Sequence, residues 1–177
     1  MKRIITLSLA ILLSITFTYA QNFKGHISGT FGIINPKARI QCEIPLKNRA
    51  SLGVNMNYYF YGWKGPIFEP FVRLYDIKSG NVKGSFIQAK LMYGNLSTYS
   101  LPYSVEETSE NKNWSTFGFG ICAGNKLLFA KHFTIEPLIG FRFLSPPPNF
   151  AKADDDITWK LTTGFLLDLQ LKFGYQF

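Results

Sequence analysis

Residues 161–177 read LTTGFLLDLQLKFGYQF, from Leu161 to Phe177. From Phe165 onward every second residue is apolar: Phe165, Leu167, Leu169, Leu171, Phe173, Tyr175 and Phe177. The residues between them, from Asp168 on, are charged, amide or glycine. Successive side chains of a strand point to opposite faces, so this alternation predicts a strand with one wholly apolar face. A helix would scatter the same residues around its axis. Large apolar side chains persist to the last position, where a strand in water usually frays into polar residues. The face calls for a surrounding more apolar than water.

Working outward, the same period recurs along the chain. Lys37–Leu46 sets Ala38, Ile40, Cys42, Ile44 and Leu46 against Lys37, Arg39, Gln41 and Glu43. Residues 51–60, 67–75, 85–94, 114–125 and 132–144 alternate likewise, and a glycine-punctuated segment at 24–34 supplies a further strand whose faces are ambiguous. Asn35-Pro36, Lys47-Asn48-Arg49, Gly62-Trp63-Lys64-Gly65 and Ser79-Gly80-Asn81 read as connections, and 95–113 and 145–158 as long loops. The closing strand is expected to open at Trp159, and the count is eight. No segment after residue 20 approaches the ~18 uninterrupted apolar residues of a spanning helix, so membrane residence would require a closed barrel. The predicted fold is all-β, an eight-stranded antiparallel up-and-down transmembrane β-barrel.

The chain begins with a segment of targeting type. Lys2 and Arg3 precede an apolar run from Ile4 to Phe17, and Thr18-Tyr19-Ala20 places a small residue before the expected cut. The expected organisation is therefore a signal peptide at 1–20 and one outer-membrane barrel domain at 21–177. No cysteine stands just after the cut, which argues against lipid anchoring. Of 19 basic residues, two lie in that leader, and the remaining 17 exceed the 11 acidic ones. No basic segment with interleaved aromatics suggests nucleic acid, and attraction to anionic lipid headgroups or lipopolysaccharide is the better use of the excess. Mean hydropathy is +0.03, as alternation between lipid and lumen implies. Cys42 and Cys122 fall on opposite faces of the expected wall, which predicts two free thiols.

Even strand number and a C-terminus on the periplasmic side put both long loops outside the cell. Trp63, Trp114 and Trp159 fall at that outer end, and an aromatic belt is expected there. Arg39, Glu43, Glu69, Arg73, Lys90, Glu136, Arg142, Asp168 and Lys172 share the lumen parity. An eight-stranded interior is just filled by side chains, so these are expected to form a structural polar network. No nucleophile or positioned histidine accompanies the acids, so no catalytic residue, cofactor or metal is assigned. His132-Phe-Thr-Ile-Glu136 reads as interfacial, and Asp154, Asp155 and Asp156 as a solvated loop.

The alternating, aromatic-rich C-terminus ending in Phe resembles the closing strand of bacterial outer-membrane β-barrels. That resemblance implies that Phe173, Tyr175 and Phe177 form the signal read by the barrel assembly machinery. A short repeat, Phe68-Glu69-Pro70 with Arg73 and Ile135-Glu136-Pro137 with Arg142, resembles strands of small barrels of the OmpA and OmpX type. The periplasmic peptidoglycan-binding domain of larger OmpA-type proteins is not expected. The implied function is non-enzymatic: a monomeric, porin-like barrel of the bacterial outer membrane, with an envelope-structural or surface-interaction role through loops 95–113 and 145–158. The alternative is a soluble secreted or periplasmic lipocalin-like barrel around a small apolar ligand. The two differ in which face of the strands is apolar.

Overall fold

The computed structural model describes residues 25–32, 37–46, 49–61, 63–76, 83–98, 113–145 and 167–177. They form eight strands: β1 (His26–Gly32), β2 (Lys37–Pro45), β3 (Ala50–Tyr61), β4 (Trp63–Tyr75), β5 (Gly84–Thr98), β6 (Asn113–Phe129), β7 (Phe133–Leu144) and β8 (Gln170–Gln176). Each pairs antiparallel with its neighbours in sequence, and β1 pairs with β8 to close the barrel. Closure leaves no free edge, which satisfies the backbone without help from solvent.

Alternation fixes what faces where. Along β6 burial switches at every residue from Asn113 to Ala123, and β7 repeats the pattern. The sense is inverted relative to a protein in water. Ile40, Phe119 and Phe141 are each 61 % exposed on the outside, whereas Gln41, Glu43, Glu69 and Arg73 are wholly buried within. Cys42 points out and Cys122 in, and both are free thiols.

Two apolar clusters flank the charged interior. Tyr59, Ile67, Met92, Leu96, Trp114 and Leu144 pack together at the end that carries the long connections. Tyr75, Phe86, Cys122 and Leu138 form the second cluster, toward the end of the short turns. Several expected boundaries move. Trp63, Lys64 and Gly65, expected in a connection, belong to β4, and Trp63 already pairs with Tyr61 and Thr98. Residues 95–98 and Asn113, expected in the first long loop, extend β5 and β6 through pairs such as Ser97↔Asn113.

At the other end β6 runs past Gly124-Asn125 to Phe129. Lys126 pairs with Gly84, and the reversal falls at Ala130–His132, where Ala130 (φ 48°) and Lys131 (φ 70°) take left-handed backbone. The strand therefore runs beyond its expected end at Asn125. The closing strand proper is shorter than its periodicity. Leu167–Leu169 precede β8, held beside β7 by Asp168 N–H donating to Gly140 O at 2.7 Å. The expected leader at 1–20, Trp159, Asp154–Asp156 and most of both long loops lie outside the described residues.

Candidate functional site: a charged core inside the barrel

All nine residues that share the lumen parity lie inside the barrel, each 3 % exposed or less. They gather into two groups. In the first, toward the turn end, Glu43 on β2 accepts from Arg73 on β4 (2.8 Å) and Lys126 on β6 (2.6 Å) through Oε2. Its Oε1 accepts from the hydroxyls of Ser51 (2.5 Å) and Tyr75 (2.6 Å). Glu136 on β7 contacts Arg73 at 3.1 Å and Lys126 at 3.3 Å. Arg73 is thus clamped between two carboxylates. Its Nε also donates to Gln88 (2.8 Å), and its guanidinium stacks over Phe86 at 4.1 Å.

The second group lies nearer the loop end. Glu69 on β4 receives Arg39 (3.2 Å), Lys90 (3.3 Å) and the Asn55 amide (3.2 Å). Lys90 also reaches Asp168 at 2.5 Å, which joins β5 to the segment before β8. Arg39 donates to Asn57 and Gln170 as well. Arg142 donates to the Tyr59 hydroxyl at 2.7 Å. Lys172 donates to Gln41 (2.5 Å), which also accepts from Arg73 (3.2 Å), so Lys172 joins the first group through Gln41.

The register explains why these residues meet. Glu43, Gly53, Phe71, Lys90, Gly120 and Arg142 are successive ladder partners from β2 to β7. The row holds two long cations beside a glycine for a steric reason. A Cβ on Gly120 would sit 2.9 Å from Lys90 Cε and 3.2 Å from Arg142 Cβ.

His26 and Lys126 belong to this core although sequence reasoning did not place them there. His26 Nε2 lies 2.7 Å from Thr134 Oγ1 and 3.4 Å from Glu136 Oε1, and Nδ1 lies 3.5 Å from Glu43. The signal for Lys126 was available in its parity with Cys122 and Gly124. For His26 it was weaker, because the glycines of β1 blur the alternation. Trp114 is a correction: it is 6 % exposed and packs inside with Tyr59 and Leu96 rather than in an outward belt. It shares the parity of Thr116 and Gly118, and that overrides its position near the strand end.

The chemistry of this core is pairing. His26, Glu43 and Glu136 bring ligand atoms within 4.8 Å of one another, a spacing open to a metal ion. Both carboxylates, however, already hold Arg73 and Lys126, so a divalent cation would add charge to a balanced set. Among the described residues the interior buries seven Lys and Arg against four Asp and Glu, which makes a cation still less welcome. The set does not fit a metal. Nor does this interior suit an apolar ligand, which removes the physical basis of the lipocalin-like alternative.

No protein-family model and no curated protein matches the chain. Among solved structures it is similar to the crystal structure of the N-terminal beta-barrel domain of Pseudomonas aeruginosa OprF. The TM-score is 0.58, over 86 % of this chain and 95 % of that one, at 12 % identity. At that identity the likeness speaks for the fold alone, a closed, eight-stranded antiparallel β-barrel.

Proposed function

We propose that the protein is a non-enzymatic barrel of the bacterial outer membrane, exported by its leader, with an envelope-structural or surface-contact role carried by the loops between β5 and β6 and between β7 and β8. The observation that supports this most is the inverted wall: apolar side chains outside on every strand and interlocked charges within. Such a wall is stable where lipid surrounds it. The charged core braces the barrel. Five strands and the β8 segment meet at Glu43, Glu69, Glu136 and Asp168, so the wall is tied across its interior as well as around its circumference.

On this reading the chain acts as a monomer with no cofactor, its outer partners are membrane lipid and lipopolysaccharide, and Phe173, Tyr175 and Phe177 present the assembly signal. Phe173 and Tyr175 lie on the outward face of β8, with Phe177 just beyond it. Surface exposure of the long connections is tested by placing single cysteines at Tyr103 and Phe150 in a Cys42→Ser, Cys122→Ala background. Intact cells treated with a membrane-impermeant maleimide are expected to label both positions. Labelling only after lysis would contradict the assigned sidedness.

A further inference from the structure

We propose that the outward wall of β4, β5 and β6, at the loop end, binds the phosphorylated headgroup of a membrane lipid. The inference rests on the membrane reading above and assigns a site within it. A groove of about 810 Å³ opens there, its polar lining supplied by Lys64, Asn95, Ser97, Asn113 and Ser115. Tyr58 and Pro66 supply its apolar side, and the buried Trp114 contributes to its base.

The groove follows from the backbone. Lys64↔Ser97 and Ile67↔Gly94 are paired, but between them the β4–β5 ladder lapses at Gly65-Pro66. Proline has no N–H to donate, and Gly65 holds a φ of 143° that other residues rarely adopt. A Cβ at Gly65 would fall 2.2 Å from Asn95 O. The wall is therefore pinched at this point and open beside it.

Position and chemistry then select the ligand. One pleat nearer the turn end the outward side chains are Phe68, Tyr93 and Phe117, all about half exposed. Moving toward the loop end, these give way to Lys64 on β4, Asn95 and Ser97 on β5, and Ser115 and Asn113 on β6. The groove straddles this step from apolar to polar, the level at which lipid phosphates lie. Within it the Ser115 hydroxyl donates to Asn95 Oδ1 (2.9 Å), which leaves the Asn95 amide protons as donors. The Lys64 ammonium is exposed and makes no ion pair with a described residue, and no described carboxylate lines the groove. Amide and ammonium donors without an acidic neighbour suit a phosphate, which accepts only. The apolar wall below suits the acyl chains of the same molecule, which separates a lipid from free phosphate.

The test uses the full chain folded in detergent micelles, with retention of added lipid read by native mass spectrometry. The paired probes are phosphatidylglycerol and a diacylglycerol of identical chains. Wild type is expected to retain phosphatidylglycerol at least about tenfold better, a preference within reach of a charge-assisted hydrogen bond. Lys64→Ser should remove most of it, and Asn95→Ala part. Lys131→Ser, an exposed lysine in the opposite turn, should leave it intact. Equal retention of the two lipids, an equal loss in Lys131→Ser, or displacement by millimolar inorganic phosphate would overturn the site alone. A chain that stays folded and soluble without detergent or lipid would overturn the membrane reading and the site with it.

Discussion

Glu43 shows how far one residue can carry this fold. It is wholly buried, yet it gathers Arg73, Lys126, Ser51 and Tyr75 from three other strands. Removing one partner of a buried ionic set strands the others, at a cost of about 3–5 kcal/mol. Glu43→Ala is therefore expected to lower the unfolding free energy by that amount in urea titrations in lipid vesicles, and Glu69→Ala to behave similarly. Unchanged stability in both variants would mean the core is ornamental. The thiols make a second residue-scale prediction: a lipid-soluble maleimide should label Cys42 in the folded barrel and spare Cys122, and non-reducing gels should show no disulfide. The lumen parity of all nine charged residues was legible in the alternating sequence. Trp114 was misassigned when closeness to a strand end was preferred to parity, and His26 was passed over because glycine carries no face.

Strand existence was legible throughout, and strand ends were not. The sixth strand was expected to end at Asn125, yet the β5–β6 ladder goes on to pair Gly84 with Lys126 and brings that lysine to Glu43. Trp63, Lys64 and Gly65 mislead for a related reason: they pair with Tyr61, Phe60 and Tyr59 as part of β4, and Gly65 marks a lapse in the β4–β5 ladder. The seam gives a prediction at this scale. β8 pairs with β1 from Gly29↔Phe173 to His26↔Gln176 and with β7 from Leu138↔Gln170 to Phe133↔Tyr175. If Phe173, Tyr175 and Phe177 are an assembly signal, Phe177→Ala should slow delivery to the outer membrane in cells while purified protein still refolds in micelles. Equal loss in both settings would show a purely structural role.

For the molecule as a whole, the apolar face was legible from period two, but its outward sense was not: that rested on the large apolar side chains that persist to Phe177, and an inward sense stood as the alternative. What the sequence could not show is which of the interior charges meet, because contacts such as Lys90 to Asp168 depend on closing the barrel. The inversion sets opposite tolerances for the two surfaces. An arginine replacing Ile121, which faces outward from the middle of β6, should cost about 2–4 kcal/mol in a bilayer. A barrel in water would accept it with little loss. The most direct test of the central claim is the fate of the expressed protein in fractionated cells, run on SDS gels with and without heating. The account predicts a detergent-resistant outer-membrane protein whose unheated form migrates at a different apparent mass. Recovery as a soluble periplasmic protein with heat-independent mobility would contradict it.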